Sequence, residues 1–398
     1  MFLVYYLTAV NVLAFVLYGI DKKKAEKGKY RIPESRLLLI AFLGGSVGAW
    51  LGMLIFHHKT KKKKFSVTVP ILACLVILIC GYGLFQNYHL ITTEYEYLST
   101  EVPQELDGYT IVQVSDLHNQ IFGVGQKSIL NRIKKCEPDI IVVTGDAVDL
   151  THTNYSLTEM FFKGAVEIAP VYYITGNHEE WLKDRNPERF DEYIQKVTSY
   201  GVIFIDDKKV QMDGFTLVGI ADSSLSGNLP AYDSSNLVVM LAHEPNYMNK
   251  YADTGADLVF SGHNHGGQIK FGDKGVLSAD FTFFPEYDCG EFKSGDTTMI
   301  VSQGLGNSVL PIRVNDYPEI VKVVLKHETH EIKHLYMPDV VGLTWEGAEQ
   351  KLKELGFFNI GVEYETDASV EAGRVIRQSI PPETTVSTDY EIILYVAE

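Results

Sequence analysis

Five short polar segments of this 398-residue sequence carry residue types that bind metal ions. Each follows an apolar run directly: SDLH (115–118), GDAVD (145–149), GNHE (176–179), AHE (242–244) and SGHNHGG (261–267). Loops at the carboxyl ends of strands in layered α/β folds converge on one crevice. We therefore expect a mixed set of imidazole, carboxylate and amide ligands that is large enough for two adjacent divalent ions with open positions. Its members are Asp116, His118, Asp146, Asn177, His243, His263 and His265.

Individual residues in these segments suit different tasks. Asp146 follows a strand-like run beside Gly145, which leaves its carboxylate free to bridge two ions. His263 and His265 are two residues apart, and on an extended loop they would point to opposite sides and serve different ions. A single D-x-H or H-x-H is usually a polar turn, but five such segments in this order are not explained as separate turns.

The order D-x-H, GD-x-x-D, GNH-[ED], a lone histidine and GH-x-H resembles the calcineurin-like binuclear metallophosphoesterases over roughly residues 105–326. GHNHGGQI (262–269) and IRVNDYPEIVKVVL (312–325) resemble the membrane-anchored branch related to the UDP-diacylglucosamine pyrophosphatases. The resemblance implies a four-layer αββα sandwich. It also implies hydrolysis of a phosphodiester or pyrophosphate bond by a hydroxide held between two divalent ions, whether manganese, iron or zinc.

The same resemblance assigns a role to each candidate residue. Asp146 would bridge the two ions, His178 would stabilise or protonate the leaving oxygen, and Asp149 would orient His178. The remaining ligands divide into a first-metal set and a second-metal set: Asp116, His118 and His265 for the first, and Asn177, His243 and His263 for the second.

The elements that must position these residues lie between about 100 and 326. Apolar runs such as YTIVQVS (109–115), DIIVVTG (139–145) and DLVFSG (257–262) have the composition of strands. QKSILNRIKKC and PERFDEYIQKVTSYG have helical spacing between them. This alternation predicts an α/β layered domain.

Three apolar runs of membrane-spanning length precede this domain: residues 2–20, 37–56 and 66–86. Basic clusters at 21–31 and 57–64 flank the second run. If that run crosses the bilayer, the positive-inside rule is violated once, whereas a re-entrant hairpin that breaks at Gly44-Gly45 keeps both clusters inside. Gly44, Gly48 and Gly52 instead favour a closely packed membrane helix, and both alternatives remain open.

The third run fixes the expected orientation. Five lysines precede it, and no Lys or Arg follows until Lys127, which predicts that everything after about residue 87 is extracytoplasmic. Residues 1–64 carry twelve Lys/Arg against three Asp/Glu, a net charge of +9. Because the whole chain has a net charge of −16, the remaining residues carry a net charge of −25. So acidic a remainder excludes non-specific binding to nucleic acid.

Residues 1–87 are predicted to form a helical, multi-pass membrane domain. YGIDKKKA (18–25), RIPE (31–34), GGSVGAWLG (44–52) and FHHKT (56–60) resemble a small bacterial membrane domain of unknown function. That resemblance supplies an anchor and no activity.

A linker at 327–335 leads to a final module, 336–398, which resembles a PASTA domain, the wall-sensing module of extracellular bacterial proteins. It departs from the usual pattern at Ile380, at Glu383 and around Thr388-Asp389. Peptidoglycan contact, a spacer role and partner docking all remain open for it.

Two further features are open at this stage. Arg313 either touches a substrate phosphate or closes the sandwich edge. The loop 278–292, with Phe281, Phe283 and Phe284, either packs inward or forms a lipid-contacting lip.

The leading hypothesis is an enzyme acting on an envelope lipid or cell-wall compound. The alternatives are a wall-binding sensor with an inactive metal site and a phosphomonoesterase. The outward location alone suggests a phosphorylated small-molecule or lipid-linked substrate, because no single residue specifies one.

Overall fold

The computed structural model describes residues 2–398 except 151–153, 233–235, 279–280, 308–310, 330–331 and 368. The predicted linker and the loop 278–292 therefore each lie partly outside the described residues. The chain divides into two compact units, Met1–His327 and Glu328–Glu398. The described helices are α1 (Phe2–Glu26), α2 (Glu34–Ile40), α3 (Ser46–Ile55), α4 (Lys63–Ser66), α5 (Thr68–Gln86), α6 (Lys127–Lys135), α7 (Ser156–Ala165), α8 (Asn177–Arg185), α9 (Pro187–Ser199), α10 (Met248–Ala252) and α11 (Trp345–Leu355).

By length and composition alone, two helical stretches in the described part of the chain could cross a membrane, Glu34–Ile55 and Lys63–Gln86. The first is not straight, because it contains a π-helical turn, Ala41–Gly45, in which Gly44 has φ 100°. A left-handed residue reverses the direction of a helix, and glycine adopts it without steric cost. The stretch is therefore two short helices, α2 and α3, joined by a tight bend.

The two ends of this bent stretch meet at one carboxylate. Asp21 of α1 accepts hydrogen bonds from Arg31 Nη2 (3.1 Å) and the Ile32 amide (2.8 Å), and its Oδ2 lies 2.7 Å from His58 Nε2. At the bend, the Asn11 amide group bonds to Gly44 O and accepts from the Gly48 amide. Each arm has about ten residues, or roughly 15 Å of helix, half the thickness of a bilayer core. The second apolar run therefore folds back on itself as a hairpin.

The close helix packing that the glycines indicate is also present, between one arm of this hairpin, α3, and α1. A Cβ atom at Gly48 would lie 1.9 Å from Asn11 O, and one at Gly52 would lie 3.0 Å from Tyr18 Cβ. Both glycines thus let α3 lie directly against α1. The two alternatives from the sequence are compatible, since the glycines pack the hairpin rather than a spanning helix.

This hairpin predicts that Lys29 and Thr60, just outside its two ends, lie on the same side of the membrane. We expect K29C and T60C, in a cysteine-free background in intact vesicles, to react with an impermeant maleimide from the same face. E96C, beyond α5, serves as the opposite-face control. Labelling of K29C and T60C from different faces would contradict the hairpin.

The part of the first unit that follows α5 is built on two six-stranded sheets. The first sheet has the order β1-β14-β2-β3-β4-β5 and the second β12-β13-β9-β8-β7-β6. The strands of the first are β1 (Ile91–Ser99), β2 (Thr110–Val114), β3 (Ile140–Thr144), β4 (Val171–Ile174), β5 (Ile203–Phe204) and β14 (Glu319–His327). Those of the second are β6 (Lys208–Gln211), β7 (Phe215–Gly219), β8 (Leu237–Leu241), β9 (Leu258–Ser261), β12 (Gly290–Ser294) and β13 (Thr297–Val301), and a separate hairpin comprises β10 (Lys270–Phe271) and β11 (Lys274–Gly275).

Three hydrophobic layers hold the sheets together. The central layer lies between the sheets, where Ile111 and Val142 of the first pack in one cluster with Leu217 and Phe260 of the second. The outer face of the first sheet is covered by α6, α7 and α9, and that of the second by α10 and neighbouring loops. The four-layer αββα sandwich is thereby confirmed.

Parallel pairing explains why the polar segments meet. Strands β2, β3 and β4 are parallel in the first sheet, and β7, β8, β9 and β13 are parallel in the second. The carboxyl ends of parallel strands lie at one edge of a sheet. The segments after β2, β3, β4, β8 and β9 therefore open on the same crevice.

The second unit is a small α+β module in which α11 packs on β16 (Ile360–Glu365), β17 (Val375–Gln378) and β19 (Ile392–Ala397), beside the pair β15 (His334–Tyr336) and β18 (Thr385–Ser387). Its departures from the usual pattern have structural roles. Ile380 is part of the buried core, and Glu383 occupies a left-handed conformation, φ 63°, that glycine would adopt without strain.

Candidate metal centre

The seven predicted ligand side chains all line the crevice, and all are buried. Five of them have left-handed backbone conformations, with φ between 45° and 67°: Asp116, His118, Asp146, His263 and His265. A non-glycine residue adopts this conformation at a cost of about 1–3 kcal/mol, and such strain clusters at functional sites. The backbone at these strand ends therefore adopts a strained conformation that directs the side chains into the crevice.

The first group comprises Asp116, His118 and His265, whose candidate ligand atoms all lie within 4.8 Å of one another. His265 Nε2 lies 3.4 Å from Asp116 Oδ1 and 3.1 Å from His118 Nε2. The two imidazole rings are stacked, with centroids 4.9 Å apart. His265 Nδ1 faces the Gly306 carbonyl at 3.2 Å, which favours a proton on Nδ1 and leaves Nε2 as an acceptor.

The second group comprises Asn177, His243 and His263. Asn177 Oδ1 lies 3.1 Å from His243 Nε2 and 3.0 Å from His263 Nδ1, and these two nitrogens are 3.3 Å apart. His243 Nδ1 lies 2.7 Å from the Thr144 carbonyl, to which it donates its proton. The Nε2 lone pair of His243 then points at the amide oxygen of Asn177, which is also an acceptor.

Asp146 lies between the two groups. Its Oδ2 is 3.6 Å from His118 Nε2 of the first group and 3.4 Å from His243 Nε2 of the second. Its Oδ1 accepts a hydrogen bond from the backbone amide of His178 at 2.9 Å. One carboxylate thus reaches both groups while the start of α8 fixes its orientation.

The donor set fits two divalent cations. In each group, oxygen and nitrogen acceptor atoms converge at hydrogen-bonding distance with too few protons to satisfy them all. An imidazole and carboxylate set with an amide oxygen suits manganese, iron or zinc, and it does not distinguish among them.

The ionisation of the buried groups leads to the same conclusion. Burial raises the pKa of Asp116 to about 6 and lowers the pKa of His118 to about 3. Burial, together with His118 and Arg313, lowers the pKa of His265 well below its usual range. His118 and His265 are therefore neutral imidazoles, the form that binds metal.

His178 differs from the seven ligand candidates because its side chain is partly open to solvent. Its ring packs edge-on against His118, with centroids 4.7 Å apart, and tilted against Trp181, with centroids 4.9 Å apart. Nε2 lies 4.0 Å from Asp146 Oδ2. Asp149 is buried nearby, and its charge acts to raise the pKa of His118. The geometry thus places His178 at the mouth of the crevice.

The prediction of an extended loop at 263–265 is wrong. His263 and His265 both have left-handed backbones, φ 67° and 49°, and a single turn of 3-10 helix follows, His265–Gly267. The two histidines still belong to different groups, because the turn rotates them apart. The backbone amide of His263 also donates to Asp116 Oδ1 at 3.1 Å.

Glu179 was not identified from the sequence, although it organises the site. Its buried carboxylate accepts hydrogen bonds from the amides of Asp146 (2.8 Å), Val148 (3.0 Å) and Gly176 (2.9 Å). It thereby ties the loop after β3 to the start of α8. A glutamate at the third position of a helix is the usual capping-box signal, and GNHE contains it.

Two other segments at strand ends that reach the site, one after β13 and one after β7, were also not identified from the sequence. After β13, Gly304 and Gly306 approach the first group so closely that a Cβ at Gly304 would lie 2.8 Å from Asp116 Cβ. After β7, Asp222 has a buried Oδ1 without a hydrogen bond in the described part of the chain, and burial raises its pKa to about 7. Their position after parallel strands was the available signal.

Arg313 does not extend toward solvent, because it is fully buried. Its guanidinium donates to the Gly306 carbonyl (2.6 Å) and the Gln303 carbonyl (3.0 Å) and pairs with Asp316 (2.5 Å). Nη2 also lies 3.4 Å from His265 Nδ1. The guanidinium thus lies buried directly behind a ligand candidate, with its hydrogen bonds directed to protein groups.

We expect R313M to destabilise the first unit by about 3–5 kcal/mol, because it removes the buried partner of Asp316 and leaves several carbonyls unpaired, with only Lys270 still near the carboxylate. Thermal unfolding of the purified chain in detergent measures this loss. The matched control is K322M, which removes a partly exposed pair with Glu94 and should cost about 1 kcal/mol or less. Equal stabilities of the two variants would contradict the buried role of Arg313.

Fold and site together define a metal-dependent phosphoester hydrolase with a calcineurin-like metallophosphoesterase domain and a C-terminal PASTA domain. The calcineurin-like phosphoesterase family matches residues 109–267, and the PASTA family matches 335–398. A family described as a protein of unknown function, DUF1294, matches residues 11–65.

Relatives cover different parts of the chain. An uncharacterized metallophosphoesterase of Bacillus subtilis, YkuE, is 28% identical over 62% of this chain and 89% of its own. The uncharacterized protein YsdA of the same organism is 49% identical over 19% of this chain and 88% of its own, so over that part the chain belongs to the same family as YsdA. A zebrafish transmembrane protein with a metallophosphoesterase domain is 24% identical over 57% of this chain and 55% of its own.

Proposed function

We propose that the chain is a membrane-anchored, extracytoplasmic phosphoesterase that cleaves a phosphodiester or pyrophosphate bond in an envelope lipid or cell-wall compound. The single observation that carries this proposal is the pair of ligand groups joined by Asp146. Two adjacent cation sites with one shared carboxylate suit in-line displacement at phosphorus, in which both the attacking and the leaving oxygen must be stabilised.

Each site is assigned by the contacts within its group. The bridging ligand is Asp146, whose Oδ2 faces both groups. The first site is formed by Asp116, His118 and His265, and the second by Asn177, His243 and His263. When bound, the two ions lower the pKa of a coordinated water and neutralise the phosphoryl oxygens.

The residues around the ions orient the reaction. His178, partly exposed above Asp146, donates a proton or hydrogen bond to the leaving oxygen, and its packing between His118 and Trp181 limits its rotation. Asp149 orients His178. Glu179 holds the Asp146 loop through three backbone amides.

The membrane placement rests on α5 and the charge pattern. Helix α5 is long and apolar enough to span, lysines precede it, and β1 begins within five residues of its end. With the second run folded back, both basic clusters lie on the cytoplasmic side.

We assign residues 1–87 to the membrane domain, 100–326 to the catalytic domain, 327–335 to a linker and 336–398 to the PASTA-like domain, which contacts peptidoglycan.

The most direct test compares extracted envelope lipids and wall fragments, by mass spectrometry, before and after incubation with the manganese-loaded protein. We expect one phosphorylated compound to lose a head group or to split at a pyrophosphate. The metal-free protein is the control. No difference between the two incubations, for any lipid or wall fragment, would contradict an envelope substrate.

A wall-binding sensor with an inactive site is the second candidate, supported by the PASTA domain. The purified protein with bis-p-nitrophenyl phosphate discriminates between the two, since metal-dependent release of nitrophenol requires a working site. A phosphomonoesterase would instead prefer p-nitrophenyl phosphate over the diester by a large factor.

A further inference from the structure

Four large apolar side chains near the metal centre are exposed. Phe271, Phe281, Phe283 and Phe284 are 87%, 66%, 70% and 65% exposed, and together we call them the phenylalanine lip. Inward packing of this loop, one of the two alternatives from the sequence, is therefore wrong for these phenylalanines, although Tyr287 does pack against the core. Exposed groups of large apolar residues mark a contact surface.

Backbone hydrogen bonds connect the lip to the segment around Val314. The Lys270 amide donates to Val314 O (2.9 Å), the Val276 amide to Ile269 O (2.8 Å), and the Phe284 amide to Val276 O (3.0 Å). Each such step spans about one strand spacing, ~4.8 Å. The lip is thus a few strand widths from residue 314.

The same segment is bound to the end of α5. The Arg313 amide donates to Asn87 Oδ1 (2.8 Å), and the Asn315 amide donates to Gln86 Oε1 (2.7 Å). The Tyr82 hydroxyl donates to Asn315 Oδ1 at 3.2 Å. The lip is therefore fixed beside the last turns of α5, the apolar helix that directly precedes β1.

The end of α5 itself has the composition of a membrane–water boundary. Tyr82, Phe85 and Tyr88 are all exposed there. Aromatic side chains are enriched at this depth because their rings suit the headgroup region. The lip continues this aromatic belt onto the catalytic domain.

The lip and the metal centre share one wall. The segment that carries Phe271 begins at His265, and the Leu277 amide returns to Gly267 O at 3.2 Å. A surface that seats the lip on a bilayer therefore also brings the crevice to that bilayer.

We propose that the phenylalanine lip inserts into the membrane leaflet that the end of α5 reaches, and that the substrate is an amphiphilic phosphate ester held in that leaflet by its apolar tail. The substrate part of this inference rests on the proposed function. A bilayer is favoured over a protein partner because the lip is continuous with the exposed aromatic end of α5.

The location of the lip is tested with the full chain in phosphatidylcholine nanodiscs, with and without lipids brominated on their acyl chains. F271W and F283W introduce a reporter into the lip. I203W is the matched control, because Ile203 is also exposed but lies on β5, at the sheet edge opposite β1. We expect bromolipid to reduce the added emission of both lip variants and to leave that of I203W unchanged.

Two outcomes would overturn the location. One is quenching of the lip variants no greater than that of I203W. The other is emission that shifts with protein concentration but not with bromolipid, which would assign the lip to a second copy of the chain. Neither readout depends on activity.

The substrate class is tested with F271S/F283S, which keeps the metal ligands. We expect its apparent KM for a diacylglycerol p-nitrophenyl phosphodiester in vesicles to rise about 10²-fold, or about tenfold for each of the two phenylalanines that no longer inserts. Hydrolysis of soluble bis-p-nitrophenyl phosphate should not change. An unchanged KM on vesicles would refute the amphiphilic substrate, whereas a wild-type protein inert on the soluble diester would refute the proposed function and leave the quenching result standing.

Discussion

Replacing Asp146 with alanine is expected to remove both metal ions and abolish hydrolysis. The carboxylate lies 3.6 Å from His118 Nε2 and 3.4 Å from His243 Nε2, so each ligand group loses the same negative oxygen. Without it, two cations would be brought together with no bridging charge between them. Metal content per chain, measured by inductively coupled plasma mass spectrometry on the purified variant, checks the prediction.

The control for this variant is D296A, which removes an exposed aspartate from the turn between β12 and β13. It should keep its metal and its activity. Circular dichroism must show that D146A is folded, since the Asp146 loop also bonds to Glu179. A folded D146A that retains two ions would contradict the bridging role.

Replacing His178 with alanine is expected to keep both ions and to reduce turnover of a diester by about 10²–10⁴-fold, the usual contribution of a general acid. His178 is partly exposed, and its Nε2 is 4.0 Å from Asp146 Oδ2. Metal content and kcat measured on the same preparation separate the two roles.

A pH profile sharpens this test. If His178 protonates the leaving oxygen, the pH profile of kcat for H178A should lose the limb that reports a protonated group. The loss of turnover should be smallest for substrates with a good leaving group such as nitrophenol. H334A, which changes an exposed histidine of the second unit, is the control and should match the wild type. Near-normal turnover of H178A on an alkyl phosphodiester would exclude the assignment.

Much of the site could be predicted because metal ligation depends on residue type and on position at strand ends. Asp116, Asp146 and His243 each follow an apolar run that forms a parallel strand, and parallel pairing brings such ends together. Glu179 could have been predicted from its capping-box spacing alone. For Asp222 and Gly304 the only signal was their position after strands β7 and β13, because their residue types alone do not distinguish them from ordinary loop residues.

The sequence by itself determined the ligand types, their order along the chain and the alternation of strands and helices, since these follow from local composition and periodicity. Only the tertiary structure decided how distant segments combine. It folds the second apolar run back because Asp21 holds residues 31, 32 and 58 at one point, and it buries Arg313 behind His265. It also leaves the phenylalanine lip exposed beside α5. These features depend on contacts between residues far apart in the chain, and such contacts have no local signature.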